Sequence, residues 1–121
     1  MPENNQKNKS LIESLAELSK DDPAFRREMD VLFIETLQEF MIAFQQGMQQ
    51  ANLDTLSFAI HKIKFAVQIY GIQTLYNEAE RGRQLVQQKR QTPQAVQQVI
   101  AQVNQLCQQQ IGHLKKQLGK A

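Results

Sequence analysis

The sequence predicts an all-α fold, an up-and-down antiparallel four-helix bundle with an additional short N-terminal helix. Three observations carry that expectation. Apolar residues recur at three-to-four spacing along four long stretches, and nothing alternates with period two for long enough to make a strand. Cap-and-proline start signals stand at Asp22-Pro23 and Thr92-Pro93, and a glycine stop stands at Gly71. The connections between the stretches are short, which makes successive helices antiparallel neighbours.

At 121 residues the chain is long enough for one modest core and too short for two. Residues 1–9 are polar and expected to be disordered, and residues 10–121 are expected to form the single bundle domain. Ser10 followed by Glu13 makes a capping box ahead of Leu11, Leu15 and Leu18. The short helix this predicts ends near Lys20 and must dock on the rest to be stable.

Asp22 is free to cap the next helix, and Pro23 is tolerated at its first position. From there Phe25, Met29, Leu32, Phe33, Leu37, Phe40, Phe44 and Met48 recur at helical spacing for about seven turns. Arg26, Arg27, Asp30, Glu35 and Glu39 mostly lie off that stripe and are expected to form a solvated face. Asn52 can cap the following helix, with Asp54 in its first turn at the positive end of the dipole. Its buried stripe is Leu53, Leu56, Ile60, Ile63 and Val67, and Gly71 is placed to end it in a left-handed conformation.

A third long helix carries Ile72, Leu75, Tyr76, Ala79 and Leu85 inward and Glu78, Glu80, Arg81 and Arg83 outward. Gly82 inside it costs about 1 kcal/mol relative to alanine, which close helix packing would explain. The last helix starts at Thr92-Pro93 and carries Val96, Ile100, Val103, Cys107, Ile111, Leu114 and Leu118 on one stripe. Its other face is rich in glutamine, and the unbroken apolar stripe argues for a helix rather than a low-complexity tract.

Composition narrows the function. No run approaches the roughly 18 apolar residues of a membrane span, and the N-terminus has no apolar signal-peptide core. A cytoplasmic protein without membrane association is the expectation. Cys107 is the only cysteine, so neither an internal disulfide nor a thiolate metal cage can form, and burial as a small hydrophobe is its expected role. A formal charge of +2, with no dense basic run and no aromatic ladder, argues against nucleic acid. Two distant histidines without clustered carboxylates do not make a metal site, and no glycine-rich phosphate loop is present to bind ATP. No intrinsic cofactor is expected. His113, beside Lys115 and Lys116, is accounted for by the helix dipole and is assigned no chemistry.

The most informative stretch is the middle of the second long helix. At about 100° per residue, His61 falls about 120° from the centre of its stripe and should face water or a partner. Lys64 follows one turn on, and Lys62 adds positive potential from the next position. Phe58 and Phe65 flank His61 at i−3 and i+4 and point about 160° to 180° from the core. Two exposed phenylalanines around an exposed histidine form an apolar patch of the docking kind. The alternative is that the N-terminal helix covers at least one of them.

The window His61-Lys62-Ile63-Lys64-Phe65, with Gly71 at its far end, resembles the histidine phosphotransfer (HPt) family. That family's motif is a histidine, any residue, Leu or Ile, Lys, then Gly, with a second glycine further along. The resemblance runs from about Asp22 to Leu85 and includes the long preceding helix, and Phe65 stands where the family usually has glycine. It implies a phosphorelay intermediate rather than an autonomous enzyme; a monomer is expected because a bundle of this size can bury its own stripes. His61 would be the phosphoacceptor, Lys64 its electrostatic support, Phe58, Lys62, Phe65 and Gln68 the docking surface, and Gly71 structural. The implied partners are response-regulator receiver domains and a hybrid sensor histidine kinase, with Mg²⁺ supplied by the receiver. In the family the glycine leaves room for the incoming receiver loop; a phenyl ring there either crowds that approach or anchors a particular partner. A degenerate module that binds a receiver without phosphotransfer, and a structural helical adaptor, are the two rival readings.

Overall fold

The start signals predicted at Asp22, Asn52 and Thr92 each close a real cap. The Asp22 carboxylate accepts the Phe25 amide at 3.1 Å, the Asn52 side chain accepts that of Thr55 at 3.1 Å, and the Thr92 hydroxyl accepts that of Ala95 at 3.1 Å. Each bond satisfies an amide that the first turn of a helix leaves without a partner. The computed structural model describes residues 13–15 and 17–119. Residues 13–15 and 17–21 are helical and form α1, followed by α2 (Pro23–Gln49), α3 (Leu53–Tyr70), α4 (Gln73–Gln87) and α5 (Pro93–Gly119). The expectations for residues 1–9 and for Ser10 and Leu11 lie outside the described residues.

The four long helices are ordered around a square. α2 packs on α3 and α5, α4 packs on the same two, and α2 meets α4 only across the diagonal. This is the all-α bundle with a short extra helix at its N-terminus. Helices α2, α3 and α4 each end in a residue with left-handed backbone just past the last turn: Ala51 (φ 50°), Gly71 (φ 68°) and Lys89 (φ 56°). There the Asn52 amide reaches back to the Gly47 carbonyl, that of Ile72 to Val67 and that of Arg90 to Leu85, the six-to-one bond that stops a helix. At the other extreme of α5, the Arg27 guanidinium donates to the Leu118 carbonyl at 3.1 Å, tying the start of α2 to the end of α5.

The core is aliphatic and phenylalanine-rich, with Leu37, Phe44, Met48, Leu56, Ile63, Leu75, Val99, Val103, Cys107 and Leu114 all essentially sealed. Burial pushes the Cys107 thiol up from 9.0 to about 12, as expected for a group packed as a hydrophobe. Gly82 is explained by its neighbours. A Cβ built there would sit 2.7 Å from a Val99 methyl and 2.9 Å from the Phe44 ring, so α4 approaches α5 and α2 at a distance only glycine allows.

Several expectations are corrected. Leu32, placed on the α2 stripe, is 63% exposed, while Asp30, placed on the solvated face, is only 2% exposed. Leu32 faces an open cleft between α2 and α3 that Lys62 also lines, whereas Asp30 turns toward Tyr70 at the C-terminal end of α3. Val86 and Val99 are buried and were not singled out, whereas Leu85, Val96 and Ile100 are partly buried at the stripe's edge. Among the described residues, no helix is long and apolar enough to cross a membrane.

Candidate functional site

The site is built on one helix. The buried residues of α3 are Leu56, Ala59, Ile60, Ile63 and Val67. Including Ala59 and releasing Leu53 to the edge rotates the centre of the stripe, so that His61 lies about 140° from it. Around the outer surface the order is then Lys64, Gln68, His61, Phe65, Phe58 and Lys62, and all six are exposed. Each sequence-predicted site residue therefore reaches solvent, and Gly71 ends the helix as expected.

These residues are not equivalent. Phe58 is 67% exposed and Phe65 46%, so α1 covers neither ring, although it shades the second. The Lys62 ammonium stands over the Phe58 ring at 5.6 Å from its centroid, a contact worth about 0.5–1 kcal/mol at an exposed site. Lys62 also stands between two clefts that run between α2 and α3. One, of about 320 Å³, has Phe58 and Lys62 on the α3 side and Leu32, Glu35 and Glu39 on the α2 side. The other, of about 330 Å³, is mostly apolar and is bounded by Phe65, Lys62, Leu32 and Met29, with Leu15 of α1 among its walls. The clefts share Leu32, Thr36 and Lys62, so they form one furrow. His61, Lys64 and Gln68 line neither cleft; they stand on the shoulder of the furrow.

Neither His61 nor Lys64 makes a hydrogen bond or ion pair among the described residues. Both imidazole nitrogens are open to water or to a partner's atoms, and the ammonium is free to approach whatever the ring acquires. An exposed neutral imidazole is a competent nucleophile toward phosphorus and needs no neighbouring base. Among the described residues no group of three His, Cys, Asp or Glu side chains converges as a metal site would require.

Sequence reasoning missed the polar cluster at the far end of the same helix. Tyr70 stacks on Phe33 with ring centroids 4.2 Å apart and 17° between planes, and its hydroxyl donates to Asp30 at 2.7 Å. The same carboxylate oxygen accepts the Arg26 Nε–H at 3.0 Å, and the Arg26 guanidinium lies over the Tyr70 ring at 5.5 Å. Burial, then the bond to Asp30 and its charge, push the Tyr70 hydroxyl well above its ordinary value of 10.0, against a smaller opposing pull from Arg26. The only sequence signal was the i, i+4 pairing of Arg26 with Asp30, which reads equally well as a surface ion pair. No family model matches the chain, and searches of curated proteins and of solved structures likewise find no match.

Proposed function

We propose that the chain is a histidine phosphotransfer protein, relaying a phosphoryl group between receiver-domain aspartates through His61. The observation that supports this most is the outward-facing, unengaged imidazole of His61, with Lys64 one turn away and two exposed phenylalanines beside it. A ring nitrogen of His61 attacks the phosphorus of a receiver's aspartyl phosphate. The N–P bond forms as the P–O bond to the carboxylate breaks, the aspartate leaves as its anion, and the charge gained by the ring is relieved by proton loss to water. The second transfer is the reverse, onto another receiver's aspartate. Lys64 offsets the charge of the phosphoryl group on His61. Phe58, Lys62, Phe65 and Gln68 form the surface a receiver meets. The receiver holds the Mg²⁺ and most of the catalytic machinery, so this chain is a relay intermediate with no cofactor of its own rather than an autonomous enzyme. It works as a monomer in the cytoplasm, between receivers of response regulators and of a hybrid sensor kinase.

The test is incubation with a phosphorylated receiver and Mg²⁺. The expected product is an acid-labile, alkali-stable phosphoprotein that disappears in His61→Gln. Labelling that persists in that variant removes the proposal.

A second reading has its own observation. Phe65 stands where the resembling family has glycine, and its half-exposed ring projects beside His61. A ring there favours a module that binds a receiver without accepting phosphate. Receiver binding unchanged in His61→Ala, with no transfer in the parent chain and transfer gained in Phe65→Gly, selects this reading. Ring signals of Phe58 and Phe65 that do not respond to any receiver would leave only a structural adaptor.

A further inference from the structure

At the end of the bundle where α2 begins and α3 and α5 finish, a cleft of about 240 Å³ opens between four helices. Lys20 of α1, Arg26 of α2, Tyr70 of α3, and Gln110 and His113 of α5 bring their polar ends to it, over an apolar wall that includes Met29. Three of these side chains are cationic or can become so, and among the described residues no carboxylate lines the cleft. Tyr70 lies nine residues past His61, about 13 Å further along the axis of α3, so this is a separate place from the site above.

Arg26 is the feature that makes the cleft more than a gap. Its Nε–H is committed to the buried Asp30 at 3.0 Å and its plane is held over the Tyr70 ring, so the guanidinium is fixed from behind. Its two terminal nitrogens donate to nothing among the described residues. A guanidinium locked at Nε with its fork free is arranged for the paired oxygens of a phosphate-like anion, because the orientation is set before the ligand arrives. Asp30 does not cancel the attraction. Its one charge is matched by Arg26, which leaves Lys20, and His113 when protonated, in excess. Gln110 adds an amide donor from the opposite wall.

We propose that this cleft binds a phosphate-class oxyanion, free or as the terminal group of a small phosphomonoester. Bound there, the anion would bridge α1, α2 and α5 and hold α1 against the bundle.

The experiment is a titration of the full chain, at fixed ionic strength, with inorganic phosphate, with glycerol 3-phosphate and with chloride. The signals followed by NMR are the Arg26 Nε–H, the His113 ring and the Tyr70 ring. Saturable shifts with either phosphate compound, and none with chloride, are the expected result; tighter binding of the ester assigns the site to a phosphomonoester, and equal binding to the bare anion. Arg26→Lys keeps the charge but loses the fork and should weaken binding about tenfold. Lys20→Gln and His113→Gln, which leave the Asp30 pair untouched, should each weaken it about threefold. Lys89→Gln, at the opposite end of the bundle, should change nothing. Linear, non-saturating shifts, or a loss in Lys89→Gln equal to that in Lys20→Gln, would mean general charge attraction and overturn the proposal.

Discussion

The C-terminal end of α3 and its middle treat polar groups in opposite ways. At Tyr70 a carboxylate is buried, and it is kept there by an arginine, a phenol and a stacked ring that together supply what water would have given it. At His61 the imidazole and the Lys64 ammonium are left in water with no hydrogen-bonding partner among the described residues, and apolar rings are exposed beside them. The first arrangement rigidifies, because a half-satisfied buried cluster costs more than an apolar core. The second contributes little to stability beyond the Lys62–Phe58 contact and leaves His61 and Lys64 free to bind. A helix that is locked at one end and bare in the middle separates holding its shape from meeting another molecule.

If that division is right, the largest effect on stability comes from the locked end. Asp30→Ala leaves the Tyr70 hydroxyl and the Arg26 Nε–H without their acceptor and opens a cavity beside Phe33, and should lower unfolding free energy by about 2–4 kcal/mol in a urea titration. A loss below about 1 kcal/mol would show that the cluster is ornamental. Tyr70→Phe keeps the stack and the ion pair and removes one donor, for about 1 kcal/mol.

The same variant tests the sign of a pH effect. The Tyr70 hydroxyl titrates higher in the folded chain than its ordinary value of 10.0. The unfolded chain therefore loses that proton first, so the contribution is complete below pH of about 10 and is lost as pH rises beyond it. Cys107, raised from 9.0 to about 12, adds a loss of the same sign that begins about a unit earlier. Unfolding free energy of the parent chain should fall on the alkaline side, and Tyr70→Phe should remove the later part of that fall.

The contrast between the locked end and the bare middle also explains what could be read before the fold was known. The exposed middle of α3 was legible because helical angle alone decides whether His61, Phe58 and Phe65 point outward, and α3 is regular from Leu53 to Tyr70. The starts of α2, α3 and α5 were legible because Asp22, Asn52 and Thr92 carry their capping group in the side chain, whereas α4 opens at Ile72 with no side-chain cap. The stops were legible only at Gly71. Ala51 and Lys89 adopt the same left-handed backbone with no residue type to announce it. The Asp30 cluster was hidden for a further reason. It joins residues 40 apart, and a charged side chain four residues from an arginine gives no sign that a tyrosine from another helix will bury it. The clefts, likewise, depend on how α1 is laid against α2 and α3, which no periodicity encodes.

At the locked end, Gly71 closes α3 one residue after Tyr70. A Cβ there meets nothing within 4 Å, so Gly71→Ala tests the φ of 68° and not packing. It should cost about 1 kcal/mol, through strain in a left-handed alanine. A neutral result would mean that the end of α3 relaxes freely, and the locked end would be less locked than its hydrogen bonds suggest.

The smallest stability effect should come from the residue proposed to carry the function. His61 is exposed, contacts no hydrogen-bonding partner among the described residues and faces away from the core. His61→Gln should therefore leave unfolding free energy within about 0.5 kcal/mol of the parent, while removing phosphoryl transfer altogether. Measured on one preparation, denaturation and transfer separate the two roles of α3. A variant that lost both would show that His61 holds the helix as well as serving it, and the division between a locked end and a free middle would fail at its centre.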